Sequence, residues 1–152
     1  ALVLLIILFR KFASYRRQQK ICQYAIAELD RCYDNFSNAD PEDIDQSKLN
    51  YANQFNTIVR RVALVHYPLA NVASLDGAAW VDFIRQKGES SLMSDEIAEA
   101  LQYGRFQTKC DVDVDSMQDF GKQWIASLYK GGKTSTAQSA GNNAASQGLS
   151  DA

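Results

Sequence analysis

The chain opens on an unbroken apolar run, residues 2–9, and passes at once into a stretch carrying Arg10, Lys11, Arg16, Arg17 and Lys20 with no acid among them. Beyond it, apolar residues recur three and four apart: Cys22, Ala25, Leu29, Cys32 and Phe36, with Ile26 and Tyr33 beside them. That spacing predicts a helix burying one face. No Gly or Pro occurs before Pro41, so one helix is expected from the apolar start to about Asn35. Residues 37–45, SNADPEDID, are polar, hold Pro41 and end in acids suited to a helix start. A second helix is expected from Asp45 or Ser47 to His66. Leu49, Ala52, Phe55, Val59 and Val62 line one side of it and Tyr51, Ile58 and Val65 stand adjacent, a stripe wide enough for a central, buried helix. Pro68 ends it and pushes Tyr67 towards an extended conformation.

The second half reads as shorter helices. Residues 69–75 are expected as one, with Val72 and Leu75 inward, and Asp76-Gly77 as a turn. Residues 77–87 form the next, with Trp80, Phe83 and Ile84 on one side and Gly88 as a C-terminal stop. Ser94 or Asp95 caps a helix through Leu101 that buries Ile97, Ala98 and Leu101. Asp113 or Asp115 caps the last, whose face is Met117, Phe120, Trp124, Ile125 and Leu128; Gly121 lowers helix propensity there without breaking the pattern. No segment alternates as a strand does, so the expected fold class is all-α. After Lys130 the chain is Gly, Ser, Thr, Asn, Gln and Ala with only Leu149 bulky. Such a composition cannot bury enough to order itself, so residues 131–152 are expected as a disordered tail behind a helical domain at residues 21–130.

The opening run changes the picture. Nine residues before Arg10 rise only ~14 Å, against ~30 Å of hydrocarbon, and the chain begins at Ala1 without methionine. The expectation is the C-terminal part of a single transmembrane helix whose beginning lies outside this sequence. Leu2, Leu4, Leu5, Ile6, Ile7, Leu8 and Phe9 would anchor it in the bilayer, Arg10, Lys11, Arg16, Arg17 and Lys20 would meet lipid headgroups, and Tyr15 could sit at the interface. A signal peptide carries its charges before the apolar part, not after it; a buried helix start rarely pairs so pure a run with an acid-free basic flank. The positive-inside rule then puts residues 21–152 in the cytosol, beneath a bacterial inner membrane.

Charge and cysteine content agree with that division. Of sixteen Lys and Arg, five stand in residues 1–20, leaving eleven against eighteen Asp and Glu in the rest. An acidic body argues against nucleic acid as a partner, since phosphate contacts need cations gathered on one face. Cys22, Cys32 and Cys110 are odd in number and lack CxxC spacing, as expected of reduced cytosolic thiols. With one histidine in the chain, Cys/His zinc sets are not expected.

Several apparent motifs carry no chemistry. Gly132-Lys133-Thr134 lacks the glycine a phosphate loop needs at position 127 and the preceding strand. Asp111, Asp113 and Asp115 imitate the start of a calcium loop, but Ser116 and Lys122 occupy the places of its Gly and Glu, so a helix cap with extra acids is expected. His66 has no neighbouring nucleophile or orienting acid and is expected to close a helix C-terminus. Trp80 and Trp124 are expected as core anchors. Arg60 and Arg61 interrupt an apolar helix half and are expected to snorkel to its edge or pair with acids.

The membrane-type start followed by RKFASYRRQQK, the block RRVALVHY with VASLDGAAWVDFI, and Asp113-Val-Asp with Trp124-Ile together resemble the bacterial membrane family called domain of unknown function 4381, from about Leu2 to Tyr129. The RRVALVHY…VASLDGAAW block is the most specific part. The resemblance implies a single membrane span, preceded in the family by a short Pro- and Trp-bearing segment that this sequence lacks. It also implies genes beside those for MoxR-type AAA+ ATPases and for von Willebrand factor A-domain membrane proteins of the Bat type. It supplies no catalytic residues and no cofactor. The function expected is a membrane-anchored, non-enzymatic scaffold subunit working with such partners, contacting them through Arg60, Arg61, His66 and Tyr67. The alternative is a membrane-embedded structural subunit that assembles through its span. The heptad-like stripe after Lys20 permits self-association as a homo-oligomer.

Overall fold

The computed structural model describes residues 1–130. Every regular element among them is helical. One long helix, α1 (Leu2–Ser37), leads through a 3₁₀ turn at Pro41–Asp43 into α2 (Ile44–His66); α3 (Gly77–Lys87), α4 (Asp95–Tyr103) and α5 (Val114–Lys130) follow. The expected all-α class is what the described residues form. At ~1.5 Å per residue α1 is about 54 Å long, and only its second half packs: Ala25, Leu29 and Cys32 are buried, and Cys22, Ile26, Tyr33 and Phe36 lie against the core.

The connection after α1 is short because Asp40 accepts a hydrogen bond from the Glu42 N–H while Pro41 opens the turn. It brings α2 back antiparallel to α1. α5 is antiparallel to α1 as well, since Asp115 at its start accepts from Tyr33 and Gln118 one turn on donates to Asp30 at 2.9 Å. The three helices cross at Gly121, where a Cβ would stand 2.3 Å from Phe55 Cε2 and 3.2 Å from Leu29 Cδ1. The glycine that weakens α5 locally is what lets α1, α2 and α5 close on one another.

A polar thread runs through the same junction. Tyr51 donates to Gln118 Oε1 at 2.6 Å, Gln118 reaches Asp30, and Lys122 pairs with Asp30 at 2.8 Å. Gln118 is the one buried polar side chain among the described residues, and both of its ends are satisfied, as burial demands. Trp80 and Trp124 are fully buried core anchors; their indole N–H groups donate to Asn56 Oδ1 at 2.8 Å and to the Ile84 carbonyl at 2.9 Å.

Several expectations are refined. Ser94 caps α4 through the Ile97 N–H, and Asp113 caps α5 through the Ser116 N–H; α4 runs on to Tyr103 rather than ending at Leu101. Residues 69–75 are not a helix. Asn71 adopts a left-handed conformation (φ 52°) and only Val72–Ser74 makes a 3₁₀ turn, with Val72 buried and Leu75 partly so. The Leu75 carbonyl, which a helix would use internally, accepts from Arg60 instead, and the Val72 carbonyl accepts from Arg60 in addition to the Leu75 N–H of the 3₁₀ turn. Gly88 does not close α3 in the left-handed region: its backbone is extended, and its lack of a side chain matters because a Cβ would lie 2.5 Å from Trp124 Nε1. Val65 is exposed, one step off the buried face of α2. The expected tail lies outside the described residues.

Candidate functional site

The end of the body from which α1 emerges gathers the sequence-singled residues. α2 and α5 both run antiparallel to α1, so their C-termini arrive together where the packed half of α1 begins. His66 and Tyr129 meet there edge to face, ring centroids 4.3 Å apart. Burial lowers the His66 pKa from its ordinary value and raises that of Tyr129 to about 12, with the Cys22 thiol across from it adding a smaller push in the same direction. Burial also raises Cys22 itself. His66 Nε2 and the Tyr129 hydroxyl are both buried without a hydrogen-bond partner among the described residues. A neutral imidazole held by an aromatic edge is a packing element here.

Tyr67 continues the cluster on the α3 side. Its ring stands edge-on to Phe83 at 5.5 Å, its hydroxyl donates to the Lys87 carbonyl at 3.3 Å, and the Lys87 ammonium lies 5.3 Å from the ring centre. Burial raises its pKa. The two neighbouring arginines divide. Arg60 is half-buried, its guanidinium 4.2 Å over the Trp80 ring while donating to the Val72 and Leu75 carbonyls, so it ties the 67–76 loop to α2. Arg61 is exposed.

Above this end rises the first half of α1. Residues 2–9 are each between 47% and 77% exposed, on every side of the helix. Arg10, Lys11, Arg16, Arg17 and Lys20 are exposed as well. Among the described residues this half carries local contacts, the Arg16 guanidinium 5.3 Å from the Phe12 ring and a Gln19–Tyr15 hydrogen bond at 3.3 Å. Among the described residues no helix is long and apolar enough to cross a membrane; in α1 the apolar run stops at Arg10.

Elsewhere the chemistry-bearing side chains are spread over separate structural tasks. Asp113 caps α5, its pKa lowered chiefly by the hydrogen bond from Ser116; Asp115 accepts from Tyr33, and Asp111 pairs with Lys109 at 3.6 Å. No group of three His, Cys, Asp or Glu gathers in metal-binding geometry among the described residues. Cys32 and Cys110 are buried and Cys22 half-buried, all as free thiols. A shallow open hollow lined by Cys32, Asn35, Tyr51 and Gln54 lies at the opposite end of the α1–α2 pair. Sequence reasoning passed over Gln118 and Asn56, whose partners stand 67 and 24 residues away. A glutamine beside the apolar stripe of α5 was the only sign of the first.

The geometry thus defines a small helical body carried on a longer helix whose free half is first apolar all round and then basic. The family model described as Domain of unknown function (DUF4381) matches residues 1–127, and the chain belongs to that family. No curated protein and no solved structure matches it.

Proposed function

We propose that this chain is a membrane-tethered interaction subunit of a bacterial inner-membrane complex. One observation supports this above the others: residues 2–9 are apolar and exposed on every side of a helix continuous with the body. A helix with a single apolar stripe can satisfy it against one protein face, whereas a helix apolar all round needs an apolar surrounding, which lipid supplies. The acid-free basic stretch that follows matches the cytoplasmic flank of a membrane helix and orients the body towards the cytosol. The body then serves as an adaptor rather than a catalyst, its polar residues engaged in holding helices together. The partners that fit are the MoxR-type AAA+ ATPases and von Willebrand factor A-domain membrane proteins that the family's gene neighbourhood implies, with exposed Arg61 as the contact residue of the RRVALVHY block.

The test uses the full-length protein in its own membranes. It is expected to stay in the membrane pellet through alkaline carbonate washing and, after mild detergent, to co-purify with an ATPase and a von Willebrand factor A-domain protein. Exchange of residues 2–9 for an unrelated apolar sequence is expected to leave that co-purification intact. Its loss would favour assembly through the membrane helix itself, and recovery of the native chain in the soluble fraction would refute the tether.

A further inference from the structure

α1 carries one seam along its whole length. Leu5, Leu8, Phe12, Tyr15, Gln19, Cys22, Ile26, Leu29, Tyr33 and Phe36 follow each other at alternating steps of three and four, the a and d positions of a heptad. In the lower half that seam is filled by the body: Leu29 is fully buried, and Cys22, Ile26, Tyr33 and Phe36 pack against the core. The stripe after Lys20 is therefore spent within the chain. Above Gln19 the same register continues bare, with Leu5, Leu8, Phe12 and Tyr15 between 50% and 65% exposed. Two of these, Phe12 and Tyr15, stand in a stretch that is otherwise Arg, Lys, Gln, Ser and Ala. Lipid accounts for an apolar run on all sides and its interface for Tyr15, but Phe12 carries the face of Leu5 and Leu8 on into the basic stretch, where it joins Tyr15 in one register.

The flanking charges specify what the seam can accept. With Phe12 at a and Tyr15 at d, Lys11 falls at g and Arg16 at e. In a parallel pair the g residue of one helix faces the e residue of the next heptad on the other. Two copies of this chain would thus set Lys11 against Arg16 twice, like charge on like charge, so self-pairing along the bare seam is disfavoured. A different helix with Asp or Glu at its own e and g positions would answer both cations.

Resting on the membrane-tethered reading above, we propose that the bare upper seam of α1, centred on Phe12 and Tyr15, binds one helix of another membrane protein, apolar along its own seam and acidic where Lys11 and Arg16 face it. This gives the adaptor a contact beside the bilayer, separate from Arg61 on the body.

Site-specific photocrosslinking in native membranes tests it. Benzoylphenylalanine is placed in the full-length chain at position 12 or 15, on the seam, and at position 13 or 17, on the opposite side. Adducts to one membrane protein are expected from 12 and 15 only. The crosslinked peptide should show apolar residues three and four apart, flanked by Asp or Glu. The double variant K11E/R16E should lose the adduct while the chain still resists carbonate extraction. Equal adducts from all four positions, adducts to a second copy of this chain, adducts to lipid alone, or an adduct that survives K11E/R16E would each overturn the proposal. A chain that stays in the membrane but yields no adduct overturns the seam alone. A native chain washed off by carbonate overturns the tether, and the seam with it.

Discussion

The two halves of α1 are one continuous helix with opposite fates. Both carry leucines at the same heptad positions, Leu5 and Leu8 above, Leu29 below, yet the upper pair faces outward and Leu29 is sealed beneath Phe55 and Gly121. What separates them is the company of other helices. From Cys22 onward α2 and α5 close over the seam, whereas among the described residues no second helix stands beside residues 2–20. Helical periodicity announces a face that wants covering; it does not say whether the cover comes from the same chain, from lipid or from a partner.

The sharpest way to break this comparison is to make the same change in both halves. Leu29→Ala removes a fully buried side chain from the three-helix crossing and should cost about 2–5 kcal/mol, while Leu5→Ala should leave the body's unfolding free energy within about 0.5 kcal/mol. Denaturant titration of the two variants in detergent, followed by tryptophan fluorescence, reads both, because Trp80 and Trp124 lie in the body. A comparable loss in Leu5→Ala would mean that the upper half is packed after all.

A smaller effect separates the adjacent arginines. Arg60→Leu takes the guanidinium donor from the Leu75 carbonyl, leaves the Val72 carbonyl with the Leu75 N–H alone and removes a cation from the face of Trp80, so about 1–3 kcal/mol should be lost. Arg61→Glu should change stability by less than about 0.5 kcal/mol and show its effect in partner co-purification. If the arginines behave alike in thermal unfolding, the loop-tying role of Arg60 is refuted.

The smallest effect belongs to His66, the only histidine of the chain. Burial holds its folded pKa below the ordinary value of 6.5, so the unfolded chain takes up the proton first. Its contribution to stability is full above pH 6.5 and is lost as the pH falls from there through the folded pKa. His66→Gln should flatten the fall in melting temperature between about pH 7 and 5. The lowered carboxylates Asp113 and Glu89 act only below that window. An unchanged slope in the variant would show that the ring titrates as freely in the fold as out of it.

Much of this architecture was readable along the chain. The α3 boundaries, the caps of α4 and α5 as one of two neighbouring residues each (Ser94 or Asp95, Asp113 or Asp115), the stripes of α2 and α5 and the burial of both tryptophans follow from periodicity and from side chains that reach backbone a turn away; the structure chose Ser94 and Asp113. The exception within a short segment, residues 69–75, turned on Arg60, which lies 12 and 15 residues from the carbonyls it binds. Of the four residues singled out in the RRVALVHY block, three make packing contacts within the chain: Arg60 under the loop, His66 against Tyr129, Tyr67 against Phe83 and Lys87.

By itself the sequence determined where the five long helices lie to within a few residues, which face of each seeks cover, and that one end of the chain is apolar and then basic, because those properties depend on residues a few positions apart. Only the tertiary structure decided that Gly121 admits the crossing of three helices, that Gly88 makes room for Trp124, that Gln118 threads Tyr51 to Asp30, and that the seam of α1 is filled below Gln19 and bare above it. Each of these is a meeting between segments distant in sequence, and no local pattern encodes the distance at which two helices come to rest.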